Sequence, residues 1–348
     1  HVKYTVTSAP RDPNEADGTV NRNGALCVAC GTAVPLSHVR QEGRDGRISQ
    51  VLMAVVAEGE RRRIYLSPNA DHVLAADVER PVTVPIGELP RNPRDFKTPN
   101  YGMTDWADLF TNRQLLGLTT FSDLAVEARN LALRDALDSG QPRGDRLDNG
   151  GSGAEAYADA IACYLGLSIS RCADYQSSIT TWHHRNQQIR NVFARQAIPM
   201  AWDFLEVNPL VAGHGTCSSQ IALIAGVLER LECTPAGTAQ QSPALPAGVG
   251  PCVISTDPPY YDNVAYADLS DFFYVWLRRT LRTVFPDLLS TMLVPKQGEL
   301  VANAYRLGGK DDAKEFFEDG FRNVFQDAHN VVTESIPITV YYAFKQSE

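Results

Sequence analysis

Residues 253–263 read Val253-Ile254-Ser255-Thr256-Asp257-Pro258-Pro259-Tyr260-Tyr261-Asp262-Asn263. Cys252 to Ser255 form a short apolar β run that leads into an acid, Asp257. Two prolines follow. Proline has no N–H and cannot continue a sheet. The Pro258 carbonyl is therefore held in a fixed direction beside the Asp257 carboxylate, and the aromatic ring of Tyr260 comes next. Two acceptors and a ring suit an exocyclic amine on a heterocyclic base. The amine lone pair is delocalised into the base and is a poor nucleophile. Hydrogen bonds to both amine protons favour a pyramidal nitrogen whose lone pair points at an electrophile. A base handled in this way must leave the duplex stack, and stacking on Tyr260 would hold it by roughly 1–3 kcal/mol. A plain strand-ending turn is the competing reading, because Asp-Pro and Pro-Pro are common turn formers. The apolar strand before the motif and the amphipathic helix after it favour a site.

Working outward, Asp268 to Thr283 and Asp311 to Ala328 read as helices, the second with acids near its start. A strand over Ile338 to Phe344 follows. Strand, helix, helix, strand predicts an α/β layer with a parallel sheet. Upstream, residues 234–251 are rich in Pro, Gly, Ala, Gln and Ser and read as a loop. Ala154 to Tyr175 reads as a long helix. So does Thr111 to Ala136, with Leu115, Leu118, Phe121, Leu124, Ala125, Ala128 and Leu131 at three-and-four spacing. Gly140 to Gly153 reads as a flexible linker. Trp182 to Phe204 reads as helical, broken near Pro199. Residues 1–95 are short β-like runs, clearest at Val51 to Ala57 and Arg63 to Leu66. Strand-like runs at His1 to Thr7 and at the other end suggest a piece of a longer protein.

The chain has 348 residues, 44% hydrophobic and 21% charged, with net charge −9. This is ordinary globular composition. No apolar run approaches the roughly 20 residues of a membrane span, and no signal segment opens the chain. A cytoplasmic protein with no membrane partner is the expectation. The acidic balance argues against a non-specific nucleic-acid coat protein, yet phosphate contacts need only a local basic surface. Trp182 to Trp202 holds Arg185, Arg190 and Arg195, with His183 and His184 and no acid. Arg278, Arg279 and Arg282 form a second cluster. Phosphate neutralisation is the functional reading of both; a solvated face is the alternative for any one arginine.

Seven cysteines are widely spread, which reads as reduced thiols and not as a disulfide framework. Cys27 and Cys30 form the one close pair. Their two-residue spacing lets both thiolates face one ion, and Gly31 permits the tight turn. This is half a zinc site, with His38 the one nearby extra donor; two plain thiols are the alternative. No metallohydrolase, triad or P-loop pattern is present.

The stretch Ser255 to Arg279 resembles the adenine-specific DNA methylases that carry a zinc ribbon. The resemblance extends to Trp106–Thr111 with Thr119–Leu124, to Arg190–Phe193, to Pro199–Phe204 and to Tyr341–Gln346, so it spans nearly the whole chain. It implies a Rossmann-like S-adenosylmethionine-dependent fold divided into an incomplete β-rich ribbon region (1–95), a helical region (96–205) and a catalytic portion (206–348). It implies methyl transfer to the N6 amine of adenine in DNA, in a restriction-modification or phage-defence setting. Asp257, Pro258, Pro259 and Tyr260 are the expected catalytic residues, and Tyr261, Asp262 and Asn263 the expected substrate contacts. Cytosine-N4 methylation and a non-catalytic recognition or scaffold role are the alternatives. Methylation of a protein glutamine amide is disfavoured by Asp257, where such enzymes carry Asn. One departure is plain. The family's glycine-rich donor loop precedes its ribbon, and Gly150-Gly151-Ser152-Gly153 follows a polar linker instead. The donor pocket and the remaining zinc ligands are expected from an upstream segment or a partner chain, and this portion alone is expected to be inactive.

Overall fold

A computed structural model describes residues 2–8, 19–21, 23–231, 241–242, 244, 251–333 and 335–342. In chain order, β1 (Val20–Asn21), β2 (Gly24–Leu26) and β3 (Ala33–Val34) form a small antiparallel sheet, followed by α1 (Leu36–Arg44). β4 (Val55–Glu58) and β5 (Arg63–Leu66) make a hairpin and lead to α2 (Ala70–Ala76). Two long helices follow, α3 (Asn112–Asp138) and α4 (Ala154–Ala173). β6 (Thr181–His183) and β7 (Gln188–Arg190) make a second hairpin, and α5 (Cys217–Leu228) comes next. β8 (Ser255–Thr256), α6 (Tyr266–Leu281), α7 (Lys310–Val331) and β9 (Thr339–Val340) complete the order. The chain is mixed α/β. Its described strands form four small sheets, and none of these is a doubly wound sheet.

The start of α3 is set by a reciprocal cap: Gln114 N–H donates to the Thr111 hydroxyl and Thr111 N–H donates to Gln114 Oε1. Leu115, Leu118 and Ala125 are buried, whereas Leu124 and Leu131 are exposed. Late α3 meets early α4, so the two run antiparallel. Arg129 bridges Glu155 at 2.6 Å and Asp159 at 2.8 Å, and Arg146 reaches Asp159 at 2.6 Å. Small residues on α4 admit α6 closely: a Cβ on Gly166 would lie 2.9 Å from Leu281.

One apolar cluster runs from Leu89 and Phe96 through Trp106, Phe110 and Leu118 to Ile198, Phe272 and Trp276. It crosses positions 95/96 and 205/206. Phe272 is its hub, stacked on Phe110 at 5.6 Å and edge-on to Phe193 at 5.2 Å.

Several local expectations need correction. Trp182 to Phe204 is not a helix but the β6–β7 hairpin and a short 3-10 turn. No apolar stripe at helical spacing occurs there, Ile189 alone of the hairpin residues is buried, and Gln187 takes φ +48° in the turn. Gly140 to Gly153 is not a loose linker. Ala154 and Glu155 N–H groups donate to the Pro142 and Arg143 carbonyls, and a Cβ on Gly151 would meet the Asp145 carbonyl at 2.2 Å. Residues 2–8 contain no strand, and β4 covers less than the run Val51 to Ala57. Cys233 and nearly all of the expected loop at 234–251 lie outside the described residues, as do the last positions of the Ile338–Phe344 run.

Candidate functional site

β8 and β9 pair in parallel, Ser255 opposite Thr339 and Thr256 opposite Val340. Thr339 N–H donates to the Ile254 carbonyl at 3.0 Å and Tyr341 N–H to the Thr256 carbonyl at 2.8 Å. Asp257 stands at the carboxyl end of β8, the end where open α/β sheets place ligands. The prolines then turn the chain outward, and Asn263 N–H closes the turn on the Tyr260 carbonyl at 2.9 Å.

Contacts from distant segments pin this loop. The Tyr260 hydroxyl donates to Asp257 Oδ1 at 2.7 Å, and its ring meets Tyr342 edge-on at 5.4 Å. Tyr261 sits at φ +40°, a strained conformation for a bulky residue. Its carbonyl accepts from Ala302 N–H at 3.0 Å, and its ring lies edge-on to Phe317 of α7 at 5.1 Å. Asp262 pairs with Arg94 at 3.3 Å, and Arg94 is anchored in turn to Asp95 at 3.0 Å. Behind the loop, Glu299 accepts from Ala267 N–H at 2.7 Å and Asn303 donates to buried Asp268 at 3.1 Å. Burial pushes the Asp268 and Asp271 carboxyls up, opposed by Arg306 near Asp268 and by Lys296 at Asp271. The Asp257 hydrogen bond raises the Tyr260 phenol.

Asp257, Tyr261, Asp262 and Asn263 are exposed, while Pro258, Pro259 and Tyr260 are half-buried. The site is an open surface. A groove of about 530 Å³ lies elsewhere, between α1, α2 and the start of α3, with Tyr101, Asp108 and Arg113 in its wall. Asp257 keeps one carboxylate oxygen without a protein donor among the described residues. The other oxygen accepts from the Tyr260 hydroxyl. Arg94, Glu299 and Asn303 were not legible in the sequence. Their partners lie tens to more than a hundred residues away, and an Asn-Pro-Arg-Asp run reads simply as a turn.

The two arginine clusters are placed differently. Arg185 lies in the β6–β7 turn, Arg190 ends β7 and Arg195 follows the 3-10 turn, all exposed. Arg278, Arg279 and Arg282 sit at the far end of α6, roughly 20 Å along the helix from the loop at 1.5 Å per residue. Arg279 is committed to Asp123 at 2.8 Å.

Cys27 and Cys30 flank the tight turn between β2 and β3. Gly31 takes φ +72° and donates to the Cys27 carbonyl at 2.8 Å. Hydrogen bonding with Thr32, and then with Cys27, lowers the Cys30 thiol. His38 faces Glu42 at 3.9 Å. No group of three or more metal-binding side chains occurs among the described residues. Cys172 and Cys217, read from sequence as isolated thiols, are buried with their sulfurs 3.2 Å apart.

No described helix is long and apolar enough to cross a membrane. No family model matches the chain, no curated protein is significantly similar to it, and no solved structure matches its fold.

Proposed function

We propose that this chain is the acceptor-handling portion of a DNA amino-methyltransferase of the zinc-ribbon-containing, adenine-specific type, with the adenine N6 amine as its target. The observation that carries the reading is the end of β8, where Asp257 follows the strand and accepts a hydrogen bond from the Tyr260 hydroxyl. The free Asp257 oxygen and the Pro258 carbonyl take the two amine protons, and Tyr260 lies against the extruded base. Cytosine-N4 is the neighbouring chemistry, since the same acceptors serve its amine.

S-adenosylmethionine supplies the electrophilic methyl group in this reading, but the described residues do not fit its whole pocket. Gly213-His214-Gly215 opens α5 and Gly308-Gly309 opens α7, yet neither follows a strand. The N–H groups at the start of α4 are already taken by carbonyls. The donor side belongs, in this proposal, to an upstream segment or a partner chain. Parallel sheets are buried on both faces in α/β proteins, whereas Val253 beside β8 is 63% exposed and Tyr341 beside β9 is 61% exposed. These two strands would form part of a Rossmann-like sheet completed from outside, and Cys27 and Cys30 would give two of four zinc ligands.

The test is nucleoside mass spectrometry of DNA from cells with the gene, without it, and with Asp257→Ala. N6-methyladenine should appear with the gene alone, and the variant should lose activity by about 10²–10³-fold or more, the scale for removing one aimed polar group. Its folding and DNA binding should be unchanged. N4-methylcytosine would move the acceptor to cytosine. No methylated base in any sample would overturn the enzymatic reading and leave a recognition or scaffold role.

A further inference from the structure

The β4–β5 hairpin turns through Gly59-Glu60-Arg61-Arg62, and Arg61, Arg62 and Arg63 are all exposed. The β6–β7 hairpin lies more than a hundred residues later, yet the two meet. Tyr65 contacts Trp182 edge-on at 6.5 Å, and the Arg63 guanidinium sits over the Trp182 ring at 6.0 Å. Arg61, Arg62 and Arg185 each lie within three residues of that contact, or roughly 10 Å at strand spacing. Arg190 stands opposite Thr181, next to Trp182.

These five arginines share a second property. Among the described residues none of them has a carboxylate within ion-pair distance, although Glu58 lies opposite Arg63 in the hairpin register. Arg94, Arg113, Arg129 and Arg279, by contrast, are all paired. In a chain of net charge −9, a group of unpaired cations brought together by two separate hairpins is a local positive surface.

We propose that the adjoining β4–β5 and β6–β7 hairpins form a docking surface for the phosphate backbone of duplex DNA, with Arg61, Arg62, Arg185 and Arg190 as the contacts and Arg63 as the brace between the hairpins. This deepens the DNA reading given above and rests on it. A duplex fits better than a single strand. Single-strand sites need free aromatic faces for base stacking, and here the Trp182 face is covered by Arg63 while Tyr65 is turned edge-on to it. Two-stranded ribbons also match the width of the major groove.

Fluorescence anisotropy on a random-sequence duplex, titrated between about 50 and 200 mM salt, tests the proposal. Changing Arg61, Arg62, Arg185 and Arg190 to Gln should weaken binding at least about tenfold and flatten the log–log salt slope by about 0.9 for each phosphate no longer neutralised. The control changes Arg47, Arg134, Lys314 and Arg322 to Gln, removing the same charge from residues already in ion pairs. It should leave both quantities close to wild type. An unchanged slope in the hairpin variant, an equal effect in the control, or no duplex binding by the wild type would each overturn the surface. Tighter binding of single-stranded RNA or of an acidic polypeptide would overturn the assignment to duplex DNA. Binding is read without any methyl donor, so failure of the methyltransferase reading would leave this measurement intact.

Discussion

Tyr260 does two things in one side chain. Its hydroxyl holds Asp257, and its ring leans on Tyr342. The two roles separate by substitution. Tyr260→Phe keeps the ring and frees the second Asp257 oxygen, so methylation should change less than about fivefold. Tyr260→Ala removes the stacking surface, and the 1–3 kcal/mol attached to it corresponds to about 5- to 150-fold in rate or affinity. Steady-state methylation by both variants checks this; an equal collapse in the two would assign the hydroxyl, not the ring, to the site. At this scale the sequence was informative where residues act as neighbours. Asp257 to Tyr260 can be read in line because the prolines remove the backbone's freedom. Arg94 cannot, because its meaning comes from Asp262, which only the fold brings near.

Among the elements, the α3–α4 pair turns on Asp159, which is completely buried and bonded to Arg146, Arg129 and the Leu147 N–H. Burial alone would raise its pKa, but those partners outweigh burial and lower it. A carboxylate depressed in the folded state contributes stability above its unfolded value and loses it as the pH falls through the folded one. Asp159→Ala should therefore cost about 3–5 kcal/mol at neutral pH, toward the lower end because Arg129 keeps Glu155. The gap between variant and wild type should close below the ordinary carboxylate value of 3.8. Denaturant unfolding across pH measures both, and a gap that stays constant into acid would remove the ion cluster as its cause. The helices themselves were plain from apolar spacing. The glycine-rich segment and the second hairpin escape such a reading for related reasons. Gly-rich composition suggests looseness unless the tight carbonyl packing around each glycine is known, and an Arg/His/Gln-rich run has no apolar pattern to reveal its period.

At the scale of the whole molecule, the core around Phe272 joins segments from Leu89 to Trp276 into one packed body. β8 and β9 contribute no residue to it. Their class was legible from strand–helix–helix–strand order, but their number was not, because a parallel sheet can draw strands from anywhere. Ser255 and Thr339 are 84 positions apart (339 − 255), and few backbone hydrogen bonds join their strands. Closing so long a loop for so few bonds is slow and weakly rewarded. The amides of Thr339 and Tyr341 should therefore exchange with deuterium through local opening, long before Leu118 and the other core amides of α3, which should await global unfolding. Equal protection at both places would show the pair to be locked by the core. In time, then, the ledge beneath Asp257 should open well before the core does, and in the proposed enzyme a strand docking beside it would set how long the loop stays ready.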